Sequence, residues 1–313
     1  MSSLLARYAD CIFWMARQVE RAENLARILD VTHSARSERD RAQDWAAVLE
    51  IHSDSERFLA AHGRVDGEAV VHFYTLDAGN PTSILQDVSN ARENARTLRP
   101  FISTEMWTQL NVFYNWLRGL KPADLAPPER PRLFAAIKQN CQTHAGITDG
   151  TFFRDQGWYF CQIGRYLERA DQATRLLDVK FHRLSAAGDY QPLEAGQAGA
   201  LLRSAAGYHA FRRLHPRGMV PAEVANFLLN DDAFPRSLAL CVDEVNRLLH
   251  ELRQRHRLRG GGGALEKLDG IQAALATRPT ADILRTGLHD FLDWVQLQLI
   301  AITDTLRRDF FGR

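Results

Sequence analysis

Residues 17–31, RQVERAENLARILDV, return 148 positions later as residues 165–179, RYLERADQATRLLDV. A stretch that occurs twice constrains the fold more than any single motif, because an internally repeated chain is expected to build two related units. Arg17 aligns with Arg165, Glu20 with Glu168, Arg21 with Arg169, Arg27 with Arg175, and Leu29-Asp30-Val31 with Leu177-Asp178-Val179. Glu23 becomes Asp171 and Asn24 becomes Gln172. Neither copy contains Gly or Pro, and both are rich in Ala, Leu, Arg and Glu, residues that lose little side-chain freedom in a helix.

Two seams run along each helix. Met15, Val19, Ala22, Ala26 and Leu29 step by threes and fours as an apolar stripe, and Ile163, Leu167, Ala170, Thr174 and Leu177 repeat it. Arg17, Glu20, Asn24 and Arg27 follow the same rhythm as a polar strip, matched by Arg165, Glu168, Gln172 and Arg175. Glu23 and Asp171 lie one turn before Arg27 and Arg175 and are placed to pair with them. A solvated face with intrahelical ion pairs is one reading of these strips. Yet the polar strip changes only Asn to Gln between copies, whereas the apolar stripe drifts. That asymmetry points to charges facing inward or into a cleft, where partners must be kept.

The echo extends further. Asp77, Pro81, Ser83 and Ile84 return at an offset of 154 as Asp231, Pro235, Ser237 and Leu238. No segment reads as a strand. The expected fold is all-α, two antiparallel helical bundles as pseudo-repeats, 1–148 and 149–313. The first helix is expected from about Ser3 to Arg39, and one helix over AQDWAAVLEIHSDSERFLAAHG. Asn80 and Pro81 are expected to start the next, with Arg92 and Arg96 on one face as a second cationic strip. Ser103 reads as a helix cap. Residues 146–155, GITDGTFFRD, read as a loosened junction, where Arg154, Asp155 and Trp158 stand at a loop-to-helix start. Single helices are expected near 198–213 and 281–308, with the GGGG run at 260–263 as a flexible connector.

Apolar content of 45%, charged content of 25% and a formal charge of +1 suit a globular protein without a global field for nucleic acid or membrane. No window approaches a membrane span and no secretory leader is visible, so a cytoplasmic location is expected. The four cysteines form no CxxC pair and read as reduced core residues. No phosphate-cradling GxxxxGK[ST] or strand-borne GxGxxG occurs. Carboxylate-bridged metal bundles use Glu-x-x-His, whereas Glu20 and Glu168 are followed at that spacing by Glu23 and Asp171, so no metal site is expected. His144, His209, His215 and His289 lie singly in the sequence.

The set RQVERAENLARILDV, NPTSILQDVSNARENARTLR, FFRDQGWYFCQIGRYLERADQATRLLDV and FPRSL resembles the bacterial Alpha-E proteins over nearly the whole chain, with Thr82 a mild departure. The resemblance implies genomic company with a circularly permuted ATP-grasp ligase and a transglutaminase-like protein, and a theme of ATP-dependent amide-bond formation on peptides or amino acids. ATP and Mg would then sit on the partner ligase, with no cofactor on this chain alone. Candidate acid-base groups are Glu20, Glu23, Glu168 and Asp171. Candidate anion-binding groups are Arg17, Arg21, Arg27, Arg92, Arg96, Arg154, Arg165, Arg169, Arg175 and Arg236, with Asp155, Trp158, Ser83 and Ser237 beside them. An autonomous carboxylate enzyme and a scaffold held by buried ion pairs are the alternatives.

Overall fold

A computed structural model describes residues 6–34, 41–185 and 195–312. Fifteen α-helices and no strand occur among the described residues, so the chain is all-α. Two compact units divide it: Trp14–Phe153, and Met1–Phe13 together with Arg154–Arg313.

In the unit Trp14–Phe153, the long helix α1 (Ala6–His33) contributes from Trp14 onward. It joins α5 (Ile84–Thr97), α6 (Thr104–Gly119) and α7 (Arg130–Thr151) around a core that includes Leu25, Val88, Phe113 and Phe134. α5 packs on α6 and α6 on α7. Hydrogen bonds Asn94 to Gln18 and Gln142 to Glu23 tie α5 and α7 back to α1. Three short helices, α2 (Arg41–Ile51), α3 (Ser55–His62) and α4 (Gly67–Thr75), lie between α1 and α5 in the chain.

In the other unit, α8 (Gln156–Ser185) packs on α12 (Leu238–His256), α12 on α13 (Gly262–Thr277), α13 on α15 (Leu288–Leu306), and α15 on α8, closing a four-helix ring. α9 (Ala195–Ser204), α10 (Tyr208–Leu214), α11 (Pro221–Asn230) and α14 (Thr280–Thr286) complete it. The first residues of α1 belong here because Phe13 reaches both α8 and the carboxyl-terminal π turn at Arg307–Phe311. A Cβ on Gly164 would stand 2.5 Å from the Phe13 carbonyl, and the Phe13 and Phe311 rings lie 5.3 Å apart.

Several expected helices are divided. The helix read over residues 42–63 breaks into α2 and α3 at Ser53, whose φ is +57°, and the one read near 198–213 breaks at Ala206, φ +61°. Neither residue is a glycine, so composition carries no sign of the break. The last long helix is interrupted at Gly287, φ +131°. Pro81 does not start α5; it sits in a turn, and Ser83 is the cap, its Oγ accepting from the Gln86 amide at 3.2 Å. Ser103 caps α6 as expected. Residues 146–151 are not loosened but form the last turns of α7. The GGGG run is no flexible connector. Gly261, φ +85°, donates its amide to Asp309 at 2.8 Å, a Cβ on Gly260 would stand 2.9 Å from the Asp309 Cβ, and Gly262 already begins α13. The expected ends of α1 near Ser3 and Arg39 lie outside the described residues, as does the helix exit read at 185–188 beyond residue 185.

Candidate functional site

The polar strips are withdrawn from water. On α1, Arg17 is 9% exposed, Glu20 4%, Glu23 5% and Asn24 6%; on α8, Glu168 is 0%, Asp171 9% and Gln172 7%. These values remove the solvated-face reading for both carboxylate pairs, because a buried carboxylate persists only where hydrogen bonds and opposite charge offset lost hydration.

Within the unit Trp14–Phe153, three helices converge on the α1 acids. Glu23 accepts from Arg27 one turn along the helix and from Gln142 of α7 at 3.2 Å. The Arg21 guanidinium lies 3.8 Å from Asp87 of α5, and the Arg17 guanidinium stacks 5.0 Å from the Trp14 ring. Asp30 pairs with Lys138 of α7 at 2.6 Å. Cys141 is buried in the same neighbourhood. Burial pushes its thiol well above the usual range, and Glu23, Glu20 and Asp87 push it further while Arg27 opposes them. A nucleophilic thiolate is therefore disfavoured here. The arrangement concentrates negative charge and balances it with guanidinium groups, which suits binding and proton transfer rather than thiol attack.

Within the other unit, Gln172 donates to Glu168 at 3.2 Å and Arg175 donates its Nε to Asp171 at 2.9 Å. The Arg165 and Arg169 guanidiniums lie 5.4 and 5.6 Å from the Tyr166 ring. Gln162, 3% exposed, is a further buried polar group on α8. The pairs Glu23 with Arg27 and Asp171 with Arg175 are those that the four-residue spacing predicts.

Other expected residues take different places. Arg92 donates to Asn111 at 2.8 Å and to Glu93 at 2.6 Å, and its guanidinium faces the Trp107 and Tyr114 rings of α6. Arg96 pairs with Glu93 at 2.6 Å on an exposed face. Arg154 is exposed beside Trp158, 5.1 Å from its ring. Asp155 accepts from the Gly157 amide at 2.8 Å, at the start of α8. Ser83 and Ser237 are helix caps: Ser237 Oγ accepts from the Leu240 amide at 3.2 Å, and Arg236 beside it is half-buried. A cavity of about 280 Å³ lies apart from the strips, lined by Arg278, Ile283, Thr286, Asp290, Phe291 and Trp294 with Gly287.

Sequence spacing missed Asp87, Lys138, Cys141, Gln142 and Gln162. Asp87 left a sign, since it shares the three-and-four register of Ile84, Val88, Ala91 and Ala95 and is thus a carboxylate on an apolar stripe. Lys138 and Gln142 are partners across helices, which spacing within one helix does not reveal, and Cys141 and Gln162 show themselves by burial.

An all-helical protein that buries the glutamate of a Glu-Arg dipeptide on each of two long helices, with the arginine half-buried, is the class this geometry defines. The Alpha-E family, described as "a predicted alpha-helical domain with a conserved ER motif", matches residues 4–311, and the chain belongs to it. Uncharacterised proteins of Mycobacterium bovis and Mycobacterium tuberculosis are 26% identical to it over 326 residues, covering 94% of this chain. The chain spans 36% of the length of those relatives. No solved structure matches it. Among the described residues, no helix is long and apolar enough to cross a membrane.

Proposed function

We propose that this chain is the helical partner subunit of a permuted ATP-grasp ligase, presenting buried carboxylates and guanidiniums to a peptide or amino-acid substrate or its anionic intermediate during amide-bond formation. The observation that carries this reading is the length of the relatives. In them the matching region is 36% of a longer chain, so in those relatives the helical module is covalently joined to further sequence. The chemistry agrees with it. Arginine recognises carboxylate and phosphate through two parallel hydrogen bonds, and Arg17, Arg21, Arg165 and Arg169 stand on the same helices as the buried acids. ATP and Mg belong to the partner in this reading, and a transglutaminase-like protein is a further candidate partner.

Co-expression with a permuted ATP-grasp protein from the same genome, followed by ATP-consumption assays over amino acids and peptides, tests the proposal. Both proteins should co-purify and be required together. Combining Glu20→Gln with Glu168→Gln should abolish the ATP-dependent reaction while helicity by circular dichroism stays near that of the parent. Failure to co-purify together with activity of the ligase alone would overturn the reading.

The buried pairs Glu23 with Arg27 and Asp171 with Arg175 favour a second reading, a scaffold whose ion pairs set helix register. Loss of folding in either single glutamate variant would support it.

A further inference from the structure

We infer that Asp178, His289 and Asp293 form a site for a divalent transition metal of the zinc class, a function beyond the proposed partnership and independent of it. α15 presents His289 and Asp293 four residues apart, so both side chains leave one face of the helix a single turn apart. α8, packed against α15, supplies Asp178. His289 Nδ1 lies 2.8 Å from Asp178 Oδ1, and His289 Nε2 lies 3.6 Å from Asp293 Oδ2. One ligand atom from each of the three residues can be chosen so that all lie within 4.8 Å of one another.

Two helical ligands a turn apart plus a third from a neighbouring helix is an economical way to chelate a metal, because the backbone already fixes most of the geometry. Metal bonds of about 2.0–2.2 Å separate tetrahedral ligand atoms by roughly 3.4 Å. Closing from 4.8 Å requires only side-chain rotation. His289 and Asp293 are 52% and 56% exposed, which leaves space around them for re-aiming, while Asp178, 13% exposed, is the anchored ligand. Three protein ligands leave a coordination position for water or a small anion. Imidazole nitrogen with carboxylate oxygen selects zinc, manganese or a neighbouring transition ion over calcium and magnesium, which prefer all-oxygen shells of higher number.

Charge points the same way. Asp290 adds a third carboxylate that acts on His289 together with Asp178 and Asp293, so the cluster stays net negative even with the imidazole protonated. Asp30, at the matching place in the first copy of the repeat, is instead neutralised by the fixed cation of Lys138. The chain thus places a permanent counter-charge at one of two equivalent aspartates and an exchangeable ligand at the other.

The test is calorimetric titration of the full chain with Zn2+, and separately with Mg2+ and Ca2+, in a chelator-free buffer. One saturable Zn2+ site per chain is expected, with Mg2+ and Ca2+ at least tenfold weaker. His289→Ala, and Asp178→Asn with Asp293→Asn, should each weaken Zn2+ at least tenfold, whereas Asp30→Asn should leave it unchanged. Cobalt substitution gives an independent readout, a visible absorption band typical of nitrogen and oxygen ligation that disappears in His289→Ala. Absence of a saturable site, or equal Zn2+ affinity in the folded parent and His289→Ala, would overturn the inference.

Discussion

Residues 53–83, which lead into α5, and residues 206–237, which lead into α12, share a frame of turn, ring and cap contacts and fill it with opposite chemistry. In each, a non-glycine residue of positive φ, Ser53 or Ala206, breaks a helix. A phenylalanine then stacks on a histidine four residues later, Phe58 on His62 at 4.5 Å and Phe211 on His215 at 4.4 Å, and a second ring, Phe73 or Phe227, meets the first edge-on. The serine caps also match, with Ser83 Oγ donating to the Asp77 carbonyl and Ser237 Oγ to that of Asp231. What fills the frame differs. Near α5, Asp54 accepts from Arg57, Tyr74 and Thr82, and Asn80 donates to the Phe73 carbonyl at 2.9 Å. Near α12, Gly207 stands at the place of Asp54 and Phe234 at the place of Asn80. Phe234 stacks on Phe227 at 4.5 Å in the space a side chain at 207 would need, since a Cβ there would lie 3.0 Å from its ring. A polar set and an apolar set each serve, provided the whole set is exchanged together.

Breaking either filling should cost most. Phe234→Ala leaves a cavity that the surrounding rings cannot close and should destabilise by about 4 kcal/mol. Asp54→Ala, which strips the acceptor from Arg57, Tyr74 and Thr82, should cost somewhat less, about 3 kcal/mol, because Arg57 at 39% exposure recovers water. Denaturant midpoints of both variants check the order. If Asp54→Ala proves neutral, the polar set is ornamental and the comparison fails.

Acid should separate the two units next. His144, buried in α7, has its pKa lowered by burial from the ordinary 6.5 to about 4. A depressed histidine binds its proton more readily when unfolded, so its contribution is complete above pH 6.5 and is lost as pH falls towards 4. The loss near pH 4 is on the order of 3 kcal/mol. In thermal melts between pH 7 and 4, the parent should lose stability more steeply than His144→Leu, which lacks this titrating group. A parallel pH dependence in both would show that His144 is not the sensor.

The smallest effects sharpen the likeness. Ser83→Ala and Ser237→Ala should each cost about 1 kcal/mol, the usual loss of a helix cap, and by nearly equal amounts because both hydroxyls make the same two contacts. Markedly unequal losses would mean that the two turns share geometry but not energetics.

By itself, the order of residues determined that the chain is helical, that residues 17–31 and 165–179 carry charge on a retained face, and that Glu23 and Asp171 pair with the arginine one turn on. Those are local matters, settled by 3.6-residue periodicity and by neighbours on one helix. The retention of the polar strips also pointed the acid rows inward, but tertiary structure alone decided that Asp87, Lys138 and Gln142 join the first of them, and that His289, solitary in the sequence, meets Asp178. It also decided the breaks at Ser53 and Ala206, where packing holds residues in a backbone region that their own side chains disfavour. The physical reason is the same throughout: spacing along a chain reports which groups share a helix face, whereas burial and pairing between helices depend on how those faces are brought together.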